Sequence, residues 1–169
     1  MSATFSLPFP YCPGGFAIFA RLIPPSPLMF RNNRYPAHDF GLLVIRVGIG
    51  LMFMLHGYPK LVGGPAAWAE VGGVMAKVGL NFAPAFWGLL AALAEFGGGA
   101  LLALGLLWRL ATAALLFTMI MATVMHLSSG DGFSGYAHAL ESALLFAGLL
   151  LVGPGRYSLD EKLFGGRVW

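Results

Sequence analysis

The sequence predicts an all-α membrane protein: a four-transmembrane-helix bundle with a short amphipathic extracytoplasmic helix between the first and second spans. Composition is the first observation, since 58% of the 169 residues are hydrophobic and 10% are charged. A soluble domain has about 25% charged residues, so this chain cannot cover a water-facing surface, and lipid must cover part of it. The second observation is a set of four apolar segments, each close to the ~20 residues that cross a hydrocarbon core of about 30 Å.

The predicted spans are separated by one long connection and two short ones. They cover residues 40–58, 84–107, 110–127 and 136–152. The very short turn after the second span predicts an antiparallel helical hairpin. The long connection, residues 59–83, contains four apolar residues at helical spacing that predict the amphipathic helix: Trp68, Val71, Met75 and Val78. A loop with incidental apolar residues is the alternative.

The flanks differ from the spans in composition. Residues 1–38 hold seven of the eleven prolines, which predicts an irregular N-terminal tail. A translation start at Met29 is an alternative, because two arginines then form a natural flank before the membrane. The bundle domain is expected to cover residues 39–164, with 165–169 as a C-terminal tail. The single cysteine, Cys12, excludes an intramolecular disulfide, so redox chemistry would require a bound cofactor or a partner.

The basic residues outside the spans predict the orientation. Seven lie in the N-terminal flank, the second turn and the C-terminal tail: Arg21, Arg31, Arg34, Arg109, Arg156, Lys162 and Arg167. The opposite side has two, Lys60 and Lys77. This asymmetry predicts a multi-pass protein of the cell membrane with both termini in the cytoplasm. The same basic residues indicate contacts with lipid head groups, and no nucleic-acid partner is expected.

Two ionisable residues lie inside the first two spans. Glu95 is near the centre of the second span, in a stripe of small residues (Ala91, Gly99, Ala103) that is expected to face another helix. Arg46 lies within the first span, and a buried charge in a membrane usually finds a partner. We therefore expect a structural Arg46–Glu95 ion pair. A functional role for the pair, and a Glu95 that carries a proton instead, are both left open.

A second polar group is predicted at the outer ends of the spans. The candidates for a pocket that handles protons are His56, His126, His138 and Glu141 at these ends, with Glu95 deeper below them. Such a set could bind a quinone head group, move protons or ligate a metal. Metal or haem is the weakest of these, because no tight ligand spacing is present, and no metal ligand or catalytic residue is assigned. The alternative is that these residues only cap helices and contact head groups, as Tyr58 and Lys60 are expected to do at the interface.

In its order of motifs the chain resembles the DoxX family of small integral membrane proteins, over residues 40–163. The residues that carry the resemblance are Arg46 with Gly48, His56-Gly57 with Lys60-Leu61, Glu95-Phe96-Gly97-Gly98, Leu104-Gly105-Leu106, Arg109, His126, Glu141 and the tail from Gly153 to Asp160. The resemblance implies a four-helix membrane bundle. Its relatives include membrane subunits of thiosulfate:quinone oxidoreductase, and some members are described as partners in membrane-bound redox or oxidative-stress complexes. The chain departs from the family in its Pro-rich leader, and it lacks the cysteine pair of the dithiol-supporting branch.

Three functions follow as hypotheses, in order of preference. The first is a redox-associated membrane subunit whose buried polar pocket binds quinone or a similar small molecule. If the protein takes part in catalysis, it would belong to a quinone-linked oxidoreductase. The second is a non-catalytic membrane anchor or assembly partner for a soluble oxidoreductase, and the third is a small-solute or proton pathway. The expected partners are the lipid bilayer, a soluble or membrane redox protein, and a second copy of the chain.

Overall fold

The computed structural model describes residues 36–165, and this part of the chain is helical without strands. The α-helices are α1 (Pro36–Val62), α2 (Gly64–Gly72), α3 (Pro84–Leu104), α4 (Trp108–Ser128), α5 (Phe133–Val152) and α6 (Leu159–Phe164), and a 3₁₀ helix (Gly73–Val78) follows α2. Four of them, α1, α3, α4 and α5, are long and apolar enough to cross a membrane. The predicted all-α fold with four spans is therefore confirmed.

The first span is longer than predicted at both ends. Its start is held by Asp39, which lies in the first turn of α1 and accepts a hydrogen bond from the backbone N–H of Arg156 (3.3 Å). Its predicted end at residue 58 is wrong, because α1 continues through Pro59 to Val62. A proline inside a helix removes one backbone hydrogen bond but does not always end the helix. The extra turn is important because it contains Lys60.

The hairpin between the second and third spans is as short as predicted, although α3 ends three residues earlier than expected, at Leu104. Gly105 has a positive φ of 66°, a conformation that favours glycine. The N–H of Leu106 then bonds the carbonyl of Leu101 (2.9 Å), which is the Schellman arrangement that ends many helices. The next helix begins at Trp108, so α3 and α4 pack as antiparallel neighbours.

The connection between the first two spans is helical, in two pieces. The helix α2 packs closely on α3, because a Cβ atom on Gly72 would overlap the backbone of Pro84 and one on Gly88 would overlap the backbone of Trp68. In the 3₁₀ helix Met75 is buried. The connection therefore folds against the bundle. The amphipathic character expected for it stays a prediction.

The spans α1 and α3 make the closest contact in the bundle. A Cβ atom on Gly50 would lie 2.6 Å from the carbonyl oxygen of Gly99 and 2.8 Å from the Cβ of Ala103, and one on Gly57 would lie 2.5 Å from the backbone N of Phe96. Only glycines allow this approach, so the small-residue stripe around Glu95 faces another helix, as predicted.

An even number of spans places the start of α1 and the helix α6 at the same end of the bundle, here named the terminal end. The opposite end, which holds α2 and the 3₁₀ helix, is named the loop end. The predicted N-terminal tail must be shortened, because residues 36–38 belong to α1. The rest of that tail, with Cys12 and the three N-terminal arginines, lies outside the described residues. Residues 166–169 of the C-terminal tail also lie outside them.

Candidate functional site

Glu95 is paired with Lys60 in the interior of the bundle. The Nζ atom of Lys60 donates to both carboxylate oxygens of Glu95, at 2.6 and 2.7 Å. The side chain of Glu95 is 2% exposed and that of Lys60 is 38% exposed. The interfacial position of Lys60 stays a prediction, but sequence reasoning missed its pairing with Glu95 because the first span was expected to end at residue 58. The available signal was the spacing of Lys60 four residues after His56, on the same face of α1.

The predicted Arg46–Glu95 ion pair is wrong, and the register of α1 against α3 is the reason. The two helices are antiparallel, with Gly57 beside Glu95 and Arg46 beside Gly105. Arg46 and Gly57 are eleven residues apart, which is about 16 Å along a helix. The guanidinium of Arg46 therefore lies at the depth of the α3–α4 turn and cannot reach the carboxylate.

Arg46 instead holds the chain segment that follows α5. It is 2% exposed, and it donates from Nη1 to the carbonyl of Pro154 (3.2 Å) and from Nη2 to that of Tyr157 (2.5 Å). Ser158 then caps α6 as an N-cap residue, accepting from the N–H of Glu161 (3.1 Å). These bonds fix the C-terminal segment against the terminal end of the bundle.

Asp160, whose capping role was not predicted from the sequence, completes this arrangement. Its two carboxylate oxygens accept from the backbone N–H groups of Leu107 and Trp108, each at 2.9 Å. These N–H groups start α4 and lack a side-chain cap from the N-cap residue Leu107 itself. A carboxylate at a helix N-terminus is favourable both as an acceptor and in the field of the helix dipole. Asp160 therefore joins α6 to the α3–α4 turn.

A small cavity of about 160 Å³ borders the Lys60–Glu95 pair. Four of the five predicted pocket residues line it: His56, Glu95, His126 and His138. The rings of His56 and His138 lie across the cavity from different helices, with centroids 6.1 Å apart. Four of the ten residues that line this cavity were thus predicted from the sequence.

The fifth predicted residue, Glu141, does not belong to the cavity. It is exposed on the outer surface of α5, whereas Ala139 and Ser142 on the same helix are buried. Because successive residues in a helix are turned by about 100°, Glu141 points roughly opposite to Ala139. Spacing from His138 was not sufficient to place both side chains in one pocket.

His126 is oriented by a residue that the sequence analysis did not consider. Its Nδ1 lies 2.6 Å from Oδ2 of Asp131, in the turn that leads to α5. An ionised carboxylate only accepts hydrogen bonds, so Nδ1 carries the hydrogen and Nε2 is the free ring nitrogen in the neutral imidazole. Among the residues that the structure describes, no group of three or more His, Cys, Asp and Glu is arranged to hold a metal ion.

A larger cavity of about 490 Å³ also borders the pair and lies between α3, α4 and the connection that contains α2. Most of its walls are apolar, with contributions from Met75, Leu90, Phe117 and Met121. The residues Lys60, Glu95 and His126 line both cavities. The ion pair therefore borders both a histidine-lined cavity and a mostly apolar one.

Trp87 adds a polar group to the larger cavity. Its indole Nε1 is buried and has no hydrogen-bond partner in the described part of the chain. A buried donor without an acceptor is costly, so a ligand oxygen in the cavity would stabilise it. Tyr58, by contrast, is 56% exposed, with its ring 6.3 Å from that of Phe96.

Comparison with known proteins agrees with the architecture. The DoxX family model matches residues 41–128. The inner membrane protein YqjF of Escherichia coli is 32% identical over 133 residues, which are 74% of this chain and 93% of that protein. The uncharacterized membrane protein Rv3486 of Mycobacterium tuberculosis is 33% identical over 139 residues, 72% of this chain and 80% of that protein. No solved structure matches the chain. With half of its residues in the family model and four membrane-spanning helices, the chain belongs to the DoxX family of membrane proteins.

Proposed function

We propose that this protein is a redox-associated membrane subunit that holds a quinone, or a similar small amphiphile, in the larger cavity. The observation that carries the proposal is an apolar cavity with a charged pair, Lys60–Glu95, in its wall. Ligand sites in proteins are mostly apolar clefts of roughly 300–1,000 Å³ with a few placed polar groups, and this cavity has that character. An apolar ring or tail would contact the walls, and a carbonyl oxygen would accept from the polar groups.

Lys60 is the first candidate donor to that oxygen. An ammonium group has three N–H donors, and the bonds to Glu95 use two of them. The indole N–H of Trp87 is a second donor, for an oxygen nearer the loop end.

Reduction of a quinone to a quinol takes up two electrons and two protons. The electrons would come from a partner oxidoreductase, and the protons would pass through His56, His126 and His138 beside Glu95.

Quenching of tryptophan fluorescence tests ligand binding. A quinone in the larger cavity lies near Trp87, so titration of the purified protein with a short-chain quinone should quench its emission in a saturable way. Ala114 lines the cavity and its neighbour Ala113 is exposed. Ala114→Phe fills the cavity and should weaken binding at least about tenfold, equal to about 1.4 kcal/mol, while Ala113→Phe should bind as the wild type does. Equal binding by both variants would remove the cavity as the site.

The non-catalytic anchor is the second candidate function. Hydrogen bonds within the chain favour it. Arg46 bonds two backbone carbonyls and Lys60 bonds Glu95, so these charged groups already have the partners that a purely structural role requires. Under this alternative a soluble oxidoreductase should co-purify from native membranes equally well with Ala114→Phe and with the wild type. Loss of electron transfer to quinone in that variant, with the partner still bound, would favour the quinone-binding role.

We also propose that both termini lie in the cytoplasm and that the loop end faces outward across the cell membrane. Arg109, Arg156 and Lys162 lie at the terminal end, and Lys77 lies at the loop end. Because Lys60 is paired with Glu95, the described residues leave three basic side chains at the terminal end against one at the loop end. A cysteine introduced at Lys77 should react with a membrane-impermeant maleimide in intact cells, whereas one at Lys162 should react only after lysis. The reverse labelling pattern would show the opposite orientation and contradict the proposal.

A further inference from the structure

The outer surface of α5 carries an unpaired carboxyl group within the membrane. Glu141 lies eight residues after the start of α5, about 12 Å along the helix, and therefore inside a hydrocarbon core of about 30 Å. It is exposed, and no residue in the described range 36–165 makes a hydrogen bond or ion pair with it. A polar group in this position normally faces a protein partner because exposure to lipid is unfavourable.

Glu141 belongs to a seven-residue repeat along the exposed side of α5. Ser134, Glu141 and Gly148 are spaced by seven residues, and so are Ala137, Leu144 and Leu151, three positions later in each repeat. This is the heptad spacing of helices that pack side by side. We name these six residues the α5 seam.

The α5 seam is open to its surroundings. Leu144 is 66% exposed and Leu151 is 87% exposed. Gly148 has no heavy atom within 4 Å of the place where a Cβ would stand. The seam thus has the repeat of a helix–helix interface, with the glycine that permits close approach, and five of its six residues are exposed, Ala137 being half-buried.

We propose that the α5 seam is the contact between two copies of this chain, paired through Glu141. Two copies inserted in one bilayer have the same orientation, so a two-fold axis along the membrane normal brings their α5 helices together in parallel. In a parallel pair with heptad repeats, identical residues meet in each layer, and Glu141 faces its counterpart.

The chemistry of the carboxyl group favours a second copy of the chain as the partner. A protonated carboxyl has one O–H donor and one carbonyl acceptor, so two of them facing each other can form two O–H···O hydrogen bonds. His138, one turn closer to the loop end, is the other titratable group on this side of α5, and it lines the small cavity. A second copy of the chain therefore satisfies Glu141 without needing a basic residue at that depth. The contact is independent of the ligand proposed for the larger cavity.

Energy transfer between labelled copies in liposomes tests the proposal. The sole cysteine, Cys12, can take donor or acceptor dye, and dilution with lipid gives the dimer dissociation constant. Glu141→Leu should weaken the dimer by roughly three- to thirtyfold, the range of hydrogen bonds between membrane helices. Glu141→Gln keeps a donor and an acceptor and should stay within about twofold of the wild type.

A steric variant with a matched control makes the test independent of the carboxyl group. Gly148→Ile places a branched side chain in the seam and should weaken the dimer at least as much as Glu141→Leu. Gly48→Ile makes the same change at an exposed glycine of α1 with open space around it, and it should have no effect. A wild-type chain that stays monomeric, or Glu141→Leu and Gly148→Ile variants that associate as the wild type does, would overturn the proposal.

Discussion

The Lys60–Glu95 pair gives the sharpest prediction about stability, because its two members are buried to very different degrees. Lys60→Met removes the amine and leaves the carboxylate of Glu95, which is 2% exposed, without its partner. Removing one member of a buried ion pair costs about 3–5 kcal/mol. Lys60 is 38% exposed, so water or head groups can approach the vacated position, and we expect a loss of about 2–4 kcal/mol in the free energy of unfolding.

The reverse change should cost less. Glu95→Gln leaves an amine that is long, flexible and partly exposed, so it can turn toward the membrane surface, and the expected loss is about 1–2 kcal/mol. In the double variant neither charge is left unpaired. Its loss should therefore be smaller than the sum of the single losses by about 1–3 kcal/mol.

Unfolding of the detergent-solubilised protein by sodium dodecyl sulfate, followed by circular dichroism, measures these free energies. Lys77→Met is the matched control, because Lys77 is exposed on the 3₁₀ helix, and it should change the stability by less than about 0.5 kcal/mol. A Lys60→Met variant as stable as this control would refute the reasoning. Strictly additive losses in the double variant would refute it as well.

Two further predictions concern the packing of the bundle. Gly50→Ala places a methyl group 2.6 Å from the carbonyl oxygen of Gly99 and should cost about 1–3 kcal/mol in the same unfolding assay. Gly48→Ala, with open space at its Cβ, should be neutral or stabilise by up to about 1 kcal/mol, and equal effects would contradict the α1–α3 contact. Asp160→Asn offers one acceptor oxygen to the two N–H groups that start α4, so it should cost about 1–2 kcal/mol and speed amide exchange there. Exposed Glu161→Gln is its control, and unchanged exchange in both variants would contradict the capping role.

The spans were predictable because each is determined by its own residues. About twenty apolar residues in succession are sufficient to identify a membrane-spanning helix. The short turn after α3 was predicted from the close succession of two apolar segments, but the role of Gly105, whose left-handed conformation ends the helix, was missed. The end of α1 was not predicted, because the effect of Pro59 depends on what the following turn contacts.

The partners of the buried charges could not be predicted from the position of each charge within its span. Glu95 and Arg46 are both intramembrane charges, but the contact of Gly50 with Gly99 fixes a register in which they lie at different levels. That register brings Lys60 to Glu95 instead. A single sequence shows where the glycines are, but it does not show which of them contact each other between helices.

The histidines were grouped correctly while Glu141 was not, and the difference is one of helix face. His56 and His138 reach the same cavity from separate helices, which depth alone could indicate. Placing Glu141 required knowledge of which side of α5 packs against α4. The observed exposure of Glu141 turns it from a pocket residue into the centre of the proposed contact between copies.

Photoaffinity labelling with an azido-quinone tests the central claim, that the larger cavity beside Lys60 and Glu95 is the ligand site. Proteolysis and mass spectrometry should find the label on α3 between residues 87 and 95 and on α4 between residues 114 and 126, the segments that line the cavity. Excess unlabelled quinone should abolish the labelling, and Ala114→Phe should reduce it. Labelling spread over the lipid-facing surfaces of α1 and α5, with no competition by unlabelled quinone, would contradict the claim.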